Sequence, residues 1–453
     1  MLDKSKEYFI VGIGGIGMSA IARLFHSRGY GVSGSDSNHN AIIDELIKSG
    51  IRVYIGQKVD NIQGSDILIR STAIPDSNPE IIEAKRLGKE VLFRKEALAM
   101  ILKDYDTVAV TGSHGKTTVT TLLESILNCG NLTANVLCGG IIKKYNSNCV
   151  IAPTQKMVVE ADESDGTFTY IPKRVSITTN IDREHLDYYK TFDNLLSQFQ
   201  KFINDTDSIR IVNSDDVLLR EICERLNYRN IITYSLDGVA DYIAKNIIID
   251  KDGSRFDVYS AKGDVYYSGI RLAVPGEHNI SNAMATIAFA HNFSIPEIDL
   301  RESLKNFENA KRRFEKVGSV NGVDIVDDYA HSPEEIEASI KMASSMSYKR
   351  IISIIQPHRY SRVREFFEEY RKVCMLSDVT ILCPVFPAGE SRLLGYDSSD
   401  IISGVQNKNL LLAESEDKLY QVIRDVYREG DLLLFMGAGN ITHYAKNMSE
   451  LIK

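Results

Sequence analysis

The sequence lacks the features that would mark a membrane protein, a disulfide-stabilised protein or a nucleic-acid-binding protein. Apolar residue types make up 43% of the chain, but no apolar run approaches the ~20 residues that span a bilayer. The six cysteines show no C-x-x-C spacing and are too sparse for a disulfide scaffold. The net charge of -8 argues against a nucleic-acid backbone as partner, because such binding depends on clustered Lys and Arg. We therefore expect a cytoplasmic protein whose partners include neither membrane nor nucleic acid.

The length of 453 residues is too great for one ordinary core, and a prior of roughly 150 residues per domain predicts three domains. Strand-like and helix-like segments alternate in the first and last thirds, which predicts parallel sheets covered by helices. Among these segments are strands at 90–93 and 350–355 and a helix at 363–374. Between residues 231 and 274, alternating strands with Asp252-Gly253 and Lys262-Gly263 between them predict hairpins, and hence a small β-rich insertion. The predicted fold is α/β, with a Rossmann-like domain at 1–104, a central P-loop ATPase-like domain with the insertion at 105–312, and a Rossmann-like C-terminal domain at 313–453.

Residues 111–118 read Thr-Gly-Ser-His-Gly-Lys-Thr-Thr and stand between a strand-like run and a segment with helical spacing of apolar residues. Backbone N–H groups at the two glycines can face an anion, the lysine supplies positive charge, and the first threonine of the closing pair offers magnesium a hydroxyl. A strict Walker pattern would have glycine where Val110 stands. We call residues 111–118 the phosphate cradle and predict that they bind ATP; a turn that only caps the helix is the alternative. The candidate ligand-binding residues of the cradle are Gly112, Ser113, His114, Gly115, Lys116, Thr117 and Thr118.

A second glycine-rich turn lies near the N-terminus, where Gly12-x-Gly14-x-x-Gly17 separates a strand-like run from a helix-like segment. Asp36 follows Gly17 by 19 positions. This pattern is typical of Rossmann-type domains and favours binding of a diphosphate group. The motif alone leaves open a dinucleotide, another diphosphate, or a turn that only packs the helix against the sheet.

Four carboxylates stand within residues 160–165, after the strand-like run 157–159. Such a cluster is either solvated or neutralised by a cation, and beside the phosphate cradle we favour magnesium. The next strand-like run, 175–179, precedes a segment that contains His185. Because ligands collect at the carboxyl ends of strands in parallel sheets, Glu163 and His185 are candidate metal ligands. A packing or hydrogen-bonding role is the alternative for His185.

Asn279 and Asn282 lie at the start of an alanine-rich, helix-like segment. Their amides either cap the helix or contact the edge of a base, and the sequence leaves both roles open. Further along, polar residues recur after strand-like runs, at 327–333, 356–359 and 437–440, which indicates a binding edge. For Ser332, helix capping is an equal alternative.

Short strings along nearly the whole chain resemble the Mur ligase family, most closely its branch that acts on UDP-N-acetylmuramate and L-alanine. The strings are Gly12-Ile13-Gly14-Gly15-Ile16-Gly17-Met18, Ser35-Asp36, Ser71-Thr72-Ala73-Ile74, the phosphate cradle, Ala161-Asp162-Glu163-Ser164-Asp165, Thr179-Asn180-Ile181, His278-Asn279-x-x-Asn282-Ala283, Arg312-Arg313-Phe314, Asp327-Asp328-Tyr329-Ala330-His331, Gln356-Pro357-His358-Arg359 and Gly437-Ala438-Gly439-Asn440.

The resemblance implies an ATP- and Mg2+-dependent ligase that joins L-alanine to the lactyl carboxylate of UDP-N-acetylmuramate through an acyl phosphate, in peptidoglycan precursor synthesis. The first domain would hold the UDP group, the central domain ATP, and the third would close with residues for ATP and the amino acid. We expect a monomer or weak homodimer.

The resemblance also assigns roles to individual residues. The implied catalytic residues are Lys116, Glu163, His185, Arg313 and His331, and the implied metal ligands are Thr117, Glu163 and His185. The implied ATP contacts beyond the phosphate cradle are Asn279, Asn282, Arg313 and Asp328. The implied substrate-binding residues are Gly14, Gly15, Gly17, Met18, Asp36, Ser71, Ala73, Gly139, Gly140, His358 and Arg359.

Three departures from the family pattern affect these expectations. Ser332 stands where the branch usually has His, so another amino acid or a preformed peptide is the alternative substrate. Phe199 stands where some sister branches carry a carbamylated Lys, so no carbamate is predicted. Ser113 replaces a usual Thr and offers the same hydroxyl. Two alternatives to a ligase come from other classes of protein. One is a nicotinamide-dependent oxidoreductase that uses the first domain, and the other is a non-catalytic nucleotide-binding regulator.

Overall fold

A computed structural model describes residues 2–129, 132–226, 230–250, 252–405, 407 and 409–451. The chain divides into two compact units, the first made of most of residues 1–310 and the second of residues 311–453 with the short segments 249–253 and 275–277. The first unit holds two sheets and the second unit holds one. Within the described ranges, no helix is both long and apolar enough to cross a membrane.

The first sheet of the first unit is an entirely parallel five-stranded sheet. Its elements are β1 (Glu7–Val11), α1 (Ile16–Ser27), β2 (Gly31–Asp36), α2 (Ala41–Lys48), β3 (Arg52–Ile55), β4 (Ile67–Arg70), α3 (Pro79–Arg86), β5 (Glu90–Phe93) and α4 (Arg94–Leu102). The strand order is β3-β2-β1-β4-β5, which is the predicted Rossmann-like arrangement.

Alternation along β1 explains why helices cover both faces of this sheet. Tyr8 and Ile10 are fully buried in one apolar cluster, whereas Phe9 and Val11 are fully buried in another. Successive side chains of a strand point to opposite faces, so a strand that is apolar at every position needs cover on both sides. The short apolar run after Glu7 therefore specifies a central strand.

The second sheet contains ten strands and carries the phosphate cradle. Its strands are β6 (Asp106–Thr111), β7 (Asn135–Ile142), β8 (Ser147–Val150), β9 (Lys156–Glu160), β10 (Val175–Thr178), β11 (Ile209–Asn213), β12 (Ile231–Ser235), β13 (Tyr242–Asp250), β14 (Gly253–Ser260) and β15 (Val265–Leu272). Its helices are α5 (Lys116–Leu127), α6 (Leu186–Tyr189), α7 (Phe192–Asn204), α8 (Val217–Leu226), α9 (Glu277–Asn292) and α10 (Glu297–Lys305). The strand order is β15-β14-β13-β12-β11-β10-β6-β9-β7-β8.

The segment predicted as a β-rich insertion extends this second sheet. β12 continues the sheet in parallel beside β11 and is followed by β13, β14 and β15 at the edge. The turn at Lys262-Gly263 joins β14 to β15 as an antiparallel hairpin, as predicted. β12 and β13 pair in parallel, an arrangement for which the sequence made no prediction. The β-rich segment is therefore part of the sheet that carries the cradle.

The second unit contains a six-stranded sheet in which only the edge strand β16 runs antiparallel. Its strands are β16 (Glu315–Val320), β17 (Val323–Asp328), β18 (Arg350–Ile355), β19 (Val379–Leu382), β20 (Leu410–Leu412) and β21 (Asp431–Met436), in the order β16-β17-β21-β18-β19-β20. Its helices are α11 (Pro333–Ser344), α12 (Tyr360–Glu365), α13 (Phe367–Val373), α14 (Ser398–Ile402), α15 (Glu416–Val426) and α16 (Ile441–Leu451).

The second unit differs from the predicted helices at one point and has apolar clusters on both faces of its sheet. The single helix expected over residues 363–374 is two helices, α12 and α13, which meet at Phe366. An apolar cluster lies on each face of the six-stranded sheet.

All six cysteines are free; Cys129 and Cys223 are partly exposed and the other four are buried.

Candidate active site

The candidate site lies where three neighbouring parallel strands of the second sheet end. β6 pairs with β9 on one side and with β10 on the other. Parallel strands place their carboxyl ends at one edge of the sheet, so the loops after Thr111, Glu160 and Thr178 meet there. This edge carries the phosphate cradle, the acidic cluster and the segment with His185.

The backbone of the phosphate cradle requires glycine at two positions. Gly112 has φ 139° and Gly115 has φ 83°, values that L side chains rarely adopt. A Cβ on Gly112 would also clash with the Thr179 hydroxyl, and a Cβ on Gly115 would clash with the Asn282 carboxamide. Gly115 is the residue before α5, so the cradle leads directly into the N-terminus of that helix, where backbone N–H groups attract anions.

Lys116 lies at the centre of the cradle, and three oxygens accept hydrogen bonds from its ammonium group. Its Nζ is 2.6 Å from the Gly112 carbonyl oxygen and 2.9 Å from that of Ser113. The third acceptor is Glu163 Oε1, which lies 2.9 Å from Nζ. Burial alone would lower the pKa of Lys116, but the carboxylate charges, Glu163 foremost, raise it above its ordinary value. Lys116 is therefore a permanent positive charge beside the cradle.

A group that could hold a metal ion lies next to Lys116. Glu163, Glu184 and His185 each offer a ligand atom, and these atoms all lie within 4.8 Å of one another. His185 Nε2 is 3.4 Å from Glu163 Oε1. Burial would lower the pKa of His185, but its contact with the buried Glu163 carboxylate raises it. The structure thus brings together Glu163 and His185, as the sequence predicted.

A second carboxylate engages Thr117, the other candidate metal ligand. The Thr117 hydroxyl donates to Glu160 Oε1 at 3.0 Å, and the Gly139 N–H donates to Glu160 Oε2 at 2.7 Å. A Cβ on Gly140 would lie 2.9 Å from the Thr117 methyl carbon. Gly139 and Gly140, expected to bind substrate, therefore lie beside the cradle and the Thr117 hydroxyl.

Ser113, His114 and Thr118 make contacts within the protein that fix the cradle in place. The Ser113 hydroxyl accepts a hydrogen bond of 2.7 Å from the Asp182 N–H. His114 Nε2 lies 3.2 Å from Asp182 Oδ2, and the His114 N–H donates to Asn180 Oδ1 at 2.7 Å. The Thr118 hydroxyl donates to Asn309 at 3.3 Å. The backbone of these cradle residues is thus held against the loop that leads to His185.

Asn279 and Asn282 lie in the first turns of α9 and are both buried. The Asn282 carboxamide is packed against Gly115, so its polar group lies at the cradle itself. The structure therefore places one of the two amides expected to contact ATP next to the residues expected to hold its phosphates.

The N-terminal glycine turn is ordered by Asp36. The Gly14 N–H donates to Asp36 Oδ2 at 2.9 Å, and the Gly12 N–H donates to the Ser35 carbonyl oxygen at 2.8 Å. A Cβ on Gly12 would lie 3.1 Å from Ile74 Cδ1, so the loop with Ser71 and Ala73 borders the turn. The remaining predicted residues of this region divide between the turn, which contains Gly15, and α1, which contains Gly17 and the buried Met18.

Predicted site residues of the second unit gather at the carboxyl ends of its strands. The Arg313 guanidinium lies 5.5 Å from the centre of the Tyr329 ring. Asp328 is buried, accepts hydrogen bonds from Ala330 and Ser339, and has a pKa raised by burial. Ser332 caps α11 through a reciprocal hydrogen-bond pair with Glu335, so the capping alternative is the one observed.

Two histidines of the second unit contact each other. The rings of His331 and His358 meet edge to face with centroids 5.6 Å apart, and His358 stacks on Phe386. Burial lowers the pKa of His358 to about 3, so this imidazole is neutral at pH 7. Arg359, the next residue, has φ 67°, a strained conformation of the kind that clusters at functional sites.

Sequence reasoning did not select three residues that the structure places in the first unit's candidate sites. Glu160 binds the Thr117 hydroxyl, and Glu184 joins the possible metal ligands. Arg94 lies between Gly17 of the glycine turn and the carboxylates of Asp162 and Asp165. Glu160 ends a strand beside the cradle, which was an available signal. No comparable signal marked Arg94, because its partners Asp162 and Asp165 are distant in the chain.

Comparisons with known proteins cover almost the whole chain. Residues 7–106 match the model described as Mur ligase family, catalytic domain; residues 110–290 match the Mur ligase middle domain; residues 312–439 match the Mur ligase, glutamate ligase domain. The UDP-N-acetylmuramate--L-alanine ligase of Brucella anthropi is 38% identical over 443 residues, which cover 96% of this chain and 95% of that protein. The protein of the same name from Brucella ovis is 38% identical over 446 residues, with the same coverage.

Solved structures give the same match in three dimensions. The UDP-N-acetylmuramate-alanine ligase from Thermotoga maritima aligns with a TM-score of 0.84 at 27% identity, over 98% of this chain and 99% of that one. A murein peptide ligase from Psychrobacter arcticus shares the fold with a TM-score of 0.71 at 22% identity, over 99% of this chain and 98% of that one.

Proposed function

The chain belongs to the Mur ligase family, and from that premise we propose that it is an ATP-dependent ligase that joins L-alanine to the lactyl carboxylate of UDP-N-acetylmuramate in peptidoglycan precursor synthesis. The observation that carries this conclusion is 38% identity, over 96% of the chain, to a ligase named for both of these substrates. The phosphate cradle, with Lys116 at its centre, supplies the matching chemistry.

The reaction requires two transfers. An oxygen of the lactyl carboxylate attacks the γ-phosphorus of ATP, the bond to the β-phosphate oxygen breaks, and an acyl phosphate and ADP result. The amine of L-alanine then attacks the acyl carbon, loses a proton, and releases phosphate as the amide forms. The protein needs to supply alignment and charge stabilisation, because the phosphoryl group moves directly between substrates.

In this proposal the phosphate cradle performs most of that work. The backbone N–H groups of the cradle and the N-terminus of α5 bind the phosphate oxygens, and Lys116 neutralises the charge that spreads over the transferring phosphoryl group. Asn279 and Asn282 bind the adenine side, and Asn282 lies against Gly115 of the cradle. Ser113, His114 and Thr118 hold the loop in shape from the protein side.

We also propose that Mg2+ binds through Thr117, Glu163 and His185. Magnesium prefers oxygen ligands at a site completed by substrate phosphates, and the carboxylates Glu163 and Glu184 with the Thr117 hydroxyl fit that preference. An imidazole is a weaker partner for this ion, so His185 has the smaller share. When bound, the ion neutralises phosphate charge and helps to orient the γ-phosphate.

The remaining assignments belong to the same proposal. The glycine turn ordered by Asp36 binds the diphosphate of the sugar nucleotide. Arg313, Asp328 and His331 act on ATP and the amino acid, and His358 and Arg359 contribute to substrate binding. We propose a cytoplasmic enzyme that is a monomer or weak homodimer.

Phosphate release tests the proposed function directly. The purified protein is supplied with ATP, Mg2+ and UDP-N-acetylmuramate, and L-alanine, glycine, L-serine or a preformed peptide is added in turn. We expect release that depends on the sugar nucleotide and is fastest with L-alanine. Fastest release with a peptide would transfer the assignment to the alternative substrate, and no release with any amine would refute the ligase assignment.

Trapping with hydroxylamine tests whether the reaction passes through an acyl phosphate. With ATP and UDP-N-acetylmuramate but no amino acid, we expect a hydroxamate of the sugar nucleotide, because hydroxylamine intercepts an acyl phosphate. A stable phosphoprotein formed in its place would show transfer through a side chain of the protein.

A further inference from the structure

Arg94 joins the two candidate binding regions of the first unit. It is the first residue of α4 and follows β5, so it lies at the edge of the first sheet that also carries the glycine turn. Its Nη2 donates to Asp165 Oδ2 at 3.0 Å and lies 3.4 Å from Asp162 Oδ2. One guanidinium group therefore connects the first sheet to the acidic loop of the second, residues 161–167.

The other side of the same guanidinium group faces the glycine turn. A Cβ on Gly17 would lie 2.6 Å from Arg94 Nη1, so the absence of a side chain at Gly17 allows the arginine to approach the start of α1. Arg94 Nε is buried and has no hydrogen-bond partner. Buried donors are almost always satisfied in native proteins, so an unsatisfied N–H next to the glycine turn points to a ligand acceptor.

The acidic loop links Arg94 to Glu163, because the two aspartates that contact Arg94 lie on either side of Glu163 in the chain. Asp162 accepts a hydrogen bond from the Ser164 N–H and Asp165 accepts one from the Thr167 N–H, each at 3.0 Å. These two aspartates therefore shape the loop on either side of Glu163, whose carboxylate reaches Lys116. A change in the guanidinium position acts on both aspartates and, through them, on Glu163.

We propose that Arg94 is a positioning residue that couples binding of a nucleoside diphosphate group at the glycine turn to binding of magnesium and ATP at the cradle. The diphosphate accepts hydrogen bonds from the free side of the guanidinium group, and Asp162 and Asp165 hold its other side. Each ligand then favours the loop arrangement that the other requires, which gives positive coupling. The inference rests on the proposed function, because it assigns the glycine turn to the diphosphate of the sugar nucleotide.

Calorimetry on the full chain measures this coupling. The dissociation constant of a non-hydrolysable ATP analogue with Mg2+ is determined without UDP and with saturating UDP as the diphosphate probe. We expect UDP to lower that constant in the wild type by roughly 5-fold or more, the usual scale of coupling between sites. The ratio of the two constants is the quantity that the variants must change.

Two variants separate coupling from binding. Asp165→Asn weakens the ion pair between Arg94 and the acidic loop but leaves the side of Arg94 that faces the glycine turn unchanged. We therefore expect UDP affinity measured alone to stay within 2-fold of wild type and the coupling ratio to fall to about 1. Arg94→Lys keeps the positive charge but not the fork that serves two groups at once, and we expect it to lose the coupling as well. The matched control is Arg86→Ala, because the Arg86 side chain is 66% exposed and pairs with Glu83 on the surface. This control should keep the wild-type ratio.

The outcomes distinguish this inference from the proposed function. A wild-type protein that releases phosphate with L-alanine but shows no effect of UDP on the analogue would overturn the coupling and leave the ligase assignment intact. Retention of the wild-type ratio in both folded variants, checked by circular dichroism, would also overturn it. Absence of both UDP binding and phosphate release in the wild type would refute the proposed function, and the inference with it.

Discussion

At the scale of single residues, Lys116 and Glu163 form a buried ion pair whose exposed side-chain fractions are 14% and 2%. We predict that Lys116→Ala lowers kcat by about 10² or more, because a fixed charge that stabilises the transition state is lost. The same change leaves Glu163 buried without its partner, which costs about 3–5 kcal/mol of stability. Phosphate-release kinetics and thermal unfolding measure the two effects.

The double variant Lys116→Ala/Glu163→Gln is the control for this prediction. Neutralising Glu163 should recover most of the unfolding temperature and none of the activity. A folded Lys116→Ala protein with near-normal kcat would remove Lys116 from the reaction.

The cluster of Glu163, Glu184 and His185 leads to a second prediction, on magnesium. We expect Glu163→Ala to raise sharply the Mg2+ concentration needed for half-maximal activity, and His185→Ala to raise it less, because magnesium prefers carboxylate to imidazole ligands. Glu221→Gln on α8, whose side chain is 51% exposed, is a control that should leave the Mg2+ requirement unchanged. Unaltered magnesium dependence in both cluster variants would show that the ion binds elsewhere.

The acidic cluster shows how far residue-level prediction reaches. The sequence located four carboxylates beside the cradle and selected Glu163, which the structure places on Lys116. It could not separate the roles of the other three. Asp162 and Asp165 bind their own loop backbone, while Glu160 binds the Thr117 hydroxyl. Only the path of the backbone after β9 decides which carboxylate turns inward, and that path depends on tertiary contacts such as those of Arg94.

At the scale of elements, the junction of β6 with α5 depends on Gly115. We predict that Gly115→Ala abolishes measurable binding of an ATP analogue, because the new Cβ meets the Asn282 carboxamide and the residue has φ 83°. Gly64→Ala is a matched control, since Gly64 has the same φ of 83° but no atom within 4 Å of the added Cβ. Strain from the left-handed backbone is common to both and costs about 1–2 kcal/mol.

Comparison of these two variants separates strain from steric conflict. Gly64→Ala should lose some stability and keep full nucleotide affinity. Equal affinity in the two variants, measured by calorimetry, would show that contact with Asn282 does not matter to the cradle.

Element prediction succeeded where periodicity was strong and failed where pairing depends on distant segments. The sequence specified β5 and β18 with their observed bounds, because both are apolar runs flanked by polar residues. The sequence made no prediction of the parallel pairing of β12 and β13, since short connections normally join antiparallel strands. It also missed the break at Phe366, because neither Pro nor Gly marks that position.

At the scale of the whole molecule, the division of the chain near residue 311 predicts an independently folding fragment. Residues 311–453 contain a six-stranded sheet with an apolar cluster on each face, and a chain of roughly 140 residues is ample for its own core. We expect this fragment to unfold cooperatively with heat or urea and to release no phosphate, because it lacks the cradle. A broad, non-cooperative transition would contradict this expectation.

The cysteines of the folded chain have a practical consequence for optical experiments. Four thiols are buried, and burial raises the pKa of the partly exposed Cys223 to about 11, so little of it is thiolate at neutral pH. Cys129 is also partly exposed and lies just beyond α5, roughly 18 Å along that helix from Lys116. A maleimide dye is therefore directed to the far end of the helix whose first turn forms the cradle. Labelling at this thiol leaves every residue of the cradle unchanged.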